Sequence, residues 1–114
     1  MTEGIVSESD RKAAHKKNVA AMPPAARQAH THCTRNWMEI NSSDLAGCFY
    51  CLSIFTPSKI VEWHNEETFE TGSDGSPDCT AFCPDCHVDS VIGSKSGFPI
   101  ERDFLAFMHS YWFR

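Results

Sequence analysis

Apolar and weakly polar positions recur at helical spacing over residues 24–40. Ala26, His30, Cys33, Trp37 and Ile40 follow one another at steps of four, three, four and three, which places them on one helix face. Pro24 suits the first turn of that helix, where its missing N–H would be unpaired in any case. Upstream, Ser9 or Asp10 can cap an earlier helix running to about Met22 and stopped by Pro23-Pro24. Its apolar residues (Ala13, Ala14, Val19, Ala20, Met22) make only a weak stripe, so the pattern predicts a loosely docked segment. Near the other end, Pro99 opens a helix over about 99–112. Glu101 and Asp103 in its first turn suit the helix dipole, and Ile100, Phe104, Phe107, Met108 and Tyr111 share a face.

The middle of the chain is broken into short pieces. Asn41-Ser-Ser-Asp44 ends the helical pattern, and Ser53-Ile-Phe55 is a short apolar run. Thr56-Pro57 reads as the cap and first residue of a short helix ending near Trp63-His64, with Phe55 and Ile60 as a hydrophobic staple. Residues 65–78 are acidic and rich in turn formers, the composition of a mobile loop. Thr80-Ala-Phe82 reads as a strand, Val88, Val91 and Ile92 flank the return, and Gly93-Ser-Lys-Ser-Gly97 reads as a turn.

Two cysteine pairs change this picture most. Cys48-Phe-Tyr-Cys51 and Cys83-Pro-Asp-Cys86 supply four thiolates, enough to close a tetrahedral metal site, and a two-residue spacer lets one tight turn aim both sulfurs at one ion. A pair on each of two knuckles across a hairpin is how zinc ribbons build such a site. The 31 residues between Cys51 and Cys83 exceed the usual ribbon spacing, and the inserted short helix and acidic loop account for the excess. The chain is therefore expected to be α+β: a small zinc-ribbon-like β-hairpin with two CxxC knuckles packed among three or four helices. Residues 1–23 form a helical, mobile extension and residues 24–114 a single domain. Cys48, Cys51, Cys83 and Cys86 are the expected ligands of one structural Zn2+, a closed site that staples a small core and leaves no position for a reactive water.

Composition and charge narrow the class. An apolar fraction of 41% in 114 residues is that of one globular domain, and no run approaches the roughly 20 apolar residues of a membrane span. The first ten residues lack both a basic region and an apolar core, so the reading is a cytoplasmic chain whose thiols stay reduced. Residues 1–35 hold six Lys/Arg against three Asp/Glu, and residues 36–114 hold four against twelve. The acidic metal-bearing part makes a nucleic-acid partner unlikely, and another protein is the expected partner. The basic run Arg11, Lys12, Lys16, Lys17 reads first as a solvated helix face.

Other chemistries compete for the same residues. Iron on the four cysteines would make a rubredoxin-like electron carrier, but such knuckles favour glycine after the second cysteine, where this chain has Leu52 and His87. Cys83-Pro-Asp-Cys86 also looks like a glutaredoxin-type redox motif, which needs a strand and a βαβ context. Cys79 reads as a free loop thiol before it reads as a ligand, and Cys33 as a buried small hydrophobe. A small enzyme using His30, His32 and Cys33 is the catalytic alternative. His30 and Cys33 share a helix face while His32 points elsewhere, and no motif places a carboxylate or amide partner. His64 and His87 read as surface or ligand-supporting residues. The aromatic end, Met108-His-Ser-Tyr-Trp-Phe113, reads as core packing or as a partner surface.

Taken together, several motifs resemble a family. Cys48-Phe-Tyr-Cys51-Leu-Ser-Ile-Phe55, Pro57-Ser-x-Ile60-x-x-Trp63, Cys83-Pro-Asp-Cys86, Asp89-Ser-Val-Ile-Gly93, Gly97-Phe-Pro-Ile100 and the terminal Met-His-x-Tyr-Trp-Phe are similar to small bacterial proteins labelled "cytoplasmic protein". The resemblance spans about residues 28–113. It implies a cytosolic, single-domain bacterial protein with a zinc-ribbon-like site, and it brings no assigned reaction. His87 and the longer acidic loop depart from the pattern. The overall expectation is a non-enzymatic, metal-binding interaction or regulatory module.

Overall fold

The computed structural model describes residues 21–71 and 75–113. Most of the expected helix over residues 10–22, and with it the mobile extension, lies outside the described residues. The order of elements is α1 (Pro24–His30), a 3-10 turn (Thr31–Cys33), α2 (Trp37–Asn41), β1 (Ala46–Cys48), β2 (Ile54–Phe55), a 3-10 turn (Pro57–Lys59), β3 (Trp63–Asn65), β4 (Cys79–Ala81), β5 (Val91–Gly93), a 3-10 turn (Ser94–Ser96) and α3 (Arg102–Trp112). The α+β class holds. None of the helices is long and apolar enough to cross a membrane among the described residues.

β1 lies at the centre of a three-stranded antiparallel sheet, order β2-β1-β5, with Gly47 opposite Ile54 on one side and Ile92 on the other. β3 and β4 form a second antiparallel pair with Trp63 opposite Ala81. Alternation along β1 and β5 divides the interior into two clusters. Ala46, Cys48 and Val91 join Ile40, Ile60, Trp63, Cys79, Ala81 and Cys83 in the first. Ile92, on the opposite face, joins Met22, Ala26, Ala29, Cys33, Phe49, Leu105 and Met108 in the second. Gly47 is small because α3 packs directly on it: a Cβ there would stand 2.9 Å from Leu105 Cδ1.

Several expected elements differ. The helix over 24–40 is broken at Thr34–Asn36, where Thr34 is extended (φ −129°) and Arg35 has φ +50°. The break follows from a tertiary demand. Buried Asn36 donates through Nδ2 to the carbonyls of Val91 (2.9 Å) and His32 (3.0 Å), and its Oδ1 accepts from the Ala81 N–H (3.1 Å). One side chain thus links both sheets to the 3-10 turn after α1. Reorienting the chain there sends Ala26 and Cys33 into the second cluster and Trp37 and Ile40 to the first.

The short helix from Pro57 is a single 3-10 turn, and Trp63 and His64 belong to β3. The expected start holds, with Thr56 as cap and Pro57 as first residue, and pairing of β3 with β4 takes Trp63 and His64 out of the expected helix. The last helix begins at Arg102 after extended Glu101, and its fully buried residues are Leu105 and Met108. Ile100, Phe104, Phe107 and Tyr111, expected on the core face, are partly buried around that contact. Part of the acidic loop is ordered: Asn65 Oδ1 accepts from the N–H groups of Glu67 (2.9 Å) and Thr68 (3.0 Å), the Asx-turn arrangement, and His64 bridges to Thr71.

Asn36→Leu leaves the Ala81 N–H and two carbonyls without this partner and is expected to destabilise the chain by about 3 kcal/mol in urea unfolding. Asn41→Ala, which removes an exposed bond to the Trp37 carbonyl, is expected to change stability by less than about 0.5 kcal/mol.

Candidate metal centre

The two cysteine pairs occupy the turns that leave β1 and β4. Each turn uses the same backbone pattern. In the first, the Cys48 N–H donates to the Ser53 carbonyl (3.0 Å) and the Leu52 N–H to the Cys48 carbonyl (2.8 Å). In the second, the Cys83 N–H donates to the Val88 carbonyl (2.9 Å) and the His87 N–H to the Cys83 carbonyl (3.0 Å). The N–H of Tyr50 points at Cys48 Sγ and that of Asp85 at Cys83 Sγ, both at 3.3 Å. These donors partly neutralise a thiolate and orient it. Leu52 (φ +67°) and His87 (φ +63°) both take the left-handed conformation that closes the knuckle. Such a conformation costs a residue with a side chain roughly 1–2 kcal/mol.

The knuckles face each other. The sulfurs of Cys48, Cys51, Cys83 and Cys86 all lie within 4.8 Å of one another. Cys48 Sγ is 3.6 Å from Cys86 Sγ, and Cys51 Sγ is 3.6 Å from Cys83 Sγ. A tetrahedron with metal–sulfur bonds of about 2.3 Å has edges of about 3.8 Å, so the arrangement fits a four-thiolate ion such as zinc. Cys48 and Cys83 are fully buried, whereas Cys51 and Cys86 are partly exposed. Among the described residues this is the one group of His, Cys, Asp and Glu side chains placed to hold a metal. A closed four-sulfur set supplies structural cross-linking and no site for a metal-bound water.

In the metal-free chain the four thiols are unequal. Burial pushes Cys48 far above the usual thiol range and Cys83 up to about 11. Burial also acts to raise Cys51, but hydrogen bonds from the Ser53 hydroxyl and backbone and from the thiols of Cys83 and Cys86 outweigh it and bring Cys51 down to about 7. Metal uptake must therefore displace protons from the two buried sulfurs.

The remaining candidates stand apart from this cluster. Cys79 is buried within β4 opposite Asn65, so it is a strand residue and not the loop thiol expected. His30 stacks on Trp112 with ring centroids 3.7 Å apart. His32 Nδ1 lies 2.9 Å from the Glu39 carboxylate. Cys33 is buried as a small hydrophobe, and that burial raises its thiol to about 11, leaving it protonated at neutral pH. His64 packs near Phe69 and Phe82 and is not part of the four-sulfur group. His87 points outward, with Nδ1 3.3 Å from Glu62. Cys83-Pro-Asp-Cys86 lies between β4 and β5, strands of different sheets, with no helix beginning on it, so the context of a glutaredoxin-type motif is absent.

Three contributions escaped the sequence pattern. Phe49, between the first two cysteines, is 1% exposed and anchors the first knuckle in the second cluster against His30 and Phe113. Asn36 carries no mark in the helical spacing over residues 24–40, and only its distant partners Val91 and Ala81 reveal its role. The N–H groups of Tyr50 and Asp85 are backbone donors, although the CxxC spacing itself signals them.

His87→Gly relieves the left-handed strain at an exposed position and is expected to raise stability by about 1 kcal/mol in thermal unfolding, with metal content unchanged. Leu52→Gly relieves the same strain but removes a side chain packed on the second cluster, so no comparable gain is expected. The Cys33 thiol gives a pH signature. Between about 8.5, the unfolded value, and the folded value of about 11, the unfolded chain has lost this proton and the folded chain keeps it. The unfolded state then binds fewer protons, so stability falls as pH rises through that window. Cys33→Ala is expected to flatten this alkaline slope by on the order of 2 kcal/mol across the window in urea titrations.

Comparison with protein-family models, with curated proteins and with solved structures finds no match to this chain.

Proposed function

We propose that Cys48, Cys51, Cys83 and Cys86 hold one structural zinc ion and that the chain is a non-enzymatic interaction or regulatory module built on that staple. The convergence of four sulfurs from two matching knuckles carries this reading. Two strands of the first sheet and one of the second run directly into or out of the knuckles, so an ion there ties together segments that short strands alone hold weakly. A protein partner is supported by large apolar side chains left in solvent. Val61 is 82% exposed, Phe69 77% and Met38 62%, beside a Tyr50 that stands on the first knuckle against Phe113. The acidic balance of residues 36–114 argues against a phosphate-backbone partner. The resemblance to small bacterial cytoplasmic proteins adds a cytosolic setting to this reading.

One observation favours a second reading. The absence of glycine after each knuckle weighed against iron, yet Leu52 and His87 adopt the left-handed conformation that rubredoxin-like knuckles need, with N–H donors aimed at Cys48 and Cys83. Iron on the same sulfurs would make the chain a one-electron carrier.

Elemental analysis of freshly purified, untagged protein, with thiol titration before and after denaturation, separates the two. One zinc per chain with four thiols protected until denaturation is the expected outcome. One iron with a thiolate-to-metal absorption band that bleaches reversibly on reduction supports the electron carrier, and a chain without metal overturns both. Cys48→Ser and Cys83→Ser are expected to lose the ion and to melt lower. Acid is expected to release the ion from the wild-type chain, since protons compete for the sulfurs of Cys48 and Cys83, whose thiols are held above their usual range.

A further inference from the structure

We propose that the four-cysteine cluster is also a reversible oxidation site, in which the exposed sulfur of one knuckle attacks a hydroperoxide oxygen and the buried sulfur of the other knuckle resolves the sulfenic acid that forms. The products are two disulfides that cross between the knuckles, Cys51–Cys83 and Cys48–Cys86, formed as the ion leaves. The inference rests on the metal-site reading above and assigns it a chemical response.

Exposure and distance divide the labour. Cys51 and Cys86 reach solvent, while Cys48 and Cys83 are 0% exposed. Each accessible sulfur touches a buried sulfur of the opposite knuckle at 3.6 Å. A disulfide bond is about 2.05 Å long, so each pair must close by roughly 1.5 Å once no ion holds the sulfurs apart. Cys33 is buried in the second cluster and Cys79 within β4, and neither belongs to the four-sulfur group.

The chemistry balances with the peroxide as oxidant. The Cys51 thiolate attacks one peroxide oxygen, the O–O bond breaks, and the other oxygen leaves as water or an alcohol after taking a proton. Cys51 is then a sulfenic acid. The Cys83 sulfur attacks the Cys51 sulfur, the S–O bond breaks, and hydroxide leaves and is protonated to water. Two electrons pass from one sulfur pair to one peroxide. Cys86 and Cys48 consume a second equivalent in the same way, and the metal departs with its charge unchanged.

The topology of these bonds matters for the fold. A bond within a knuckle would close a loop of four residues and leave the two knuckles untied. A bond from Cys51 to Cys83 joins segments separated by 31 residues, the same segments an ion would join. Cross-linking over that span restricts the unfolded chain far more than a four-residue loop does. The oxidised chain therefore keeps the two sheets together after the ion has gone.

The test uses the full, metal-loaded chain, with metal content measured first. Hydrogen peroxide is added in steps while a chelating dye reads released metal, and peptides are mapped without reduction. Two equivalents are expected to consume four thiols, release one ion and yield the Cys51–Cys83 and Cys48–Cys86 peptides. Dithiothreitol with added metal is expected to restore the starting state, and circular dichroism of the oxidised chain to stay near that of the loaded one. Bonds within the pairs, Cys48–Cys51 or Cys83–Cys86, overturn the proposal. So do sulfinic acids without disulfides, or thiols that survive peroxide levels oxidising a free cysteine peptide. The metal-free chain is mapped in parallel. Cross-knuckle peptides from a chain that never held metal would sink the metal reading and leave the sulfur pairing standing.

Discussion

Four cysteine sulfurs drawn within 4.8 Å of one another form the constraint on which the rest of the structure depends. As thiolates they repel, and two of them are buried where a lone charge is costly, so the arrangement gains most when a cation joins them. The backbone is already committed to that geometry. Each knuckle accepts a left-handed residue with a side chain and turns one amide toward a sulfur. Strain of this kind persists only where surrounding packing holds it in place.

That packing comes from two small clusters sharing one thin sheet. β1 and β5 are three residues each, and they present alternate side chains to the two sides. Cys48 faces the first cluster and Phe49, one residue on, enters the second, so the first knuckle is gripped from both sides. Asn36 joins β4 to β5 where no strand pairing does. A fold with such short strands has little redundancy, and the four-cysteine cluster, a buried amide and an aromatic anchor each carry a large share of its order.

The same economy shapes what the site can do. Two sulfurs are hidden and two are accessible, which is compatible with a stable cross-link that also meets solutes. The histidines and the other cysteines are absorbed by packing or by a carboxylate: His30 by Trp112, His32 by Glu39, Cys33 and Cys79 by the interior. Among the described residues the four sulfurs are the one group placed to hold a metal, and exposed apolar side chains include Val61 and Phe69.

Local spacing alone determined the metal-site candidates, because a CxxC turn brings its own two sulfurs together wherever it occurs. It also determined the existence of the last helix, the break at residues 41–44 and the buried character of Cys33, each set by periodicity or by turn-forming residues. The tertiary structure decided what depends on distant partners. Residues 24–41 divide into pieces because Asn36 answers to Val91 and Ala81, which lie far along the chain. Trp63 and His64 form a strand because β4 pairs with them, so the helical turn that starts at Thr56-Pro57 ends at Lys59. Leu52 and His87 take a conformation their side chains disfavour because both knuckles close on hydrogen bonds that leave no alternative. Leu105 joins the expected Met108 as the buried centre of α3 because Gly47 opens a recess that only the sheet could place beside it. Sequence spacing reports interactions within a turn or two, whereas these outcomes rest on contacts between segments that only the folded chain brings together.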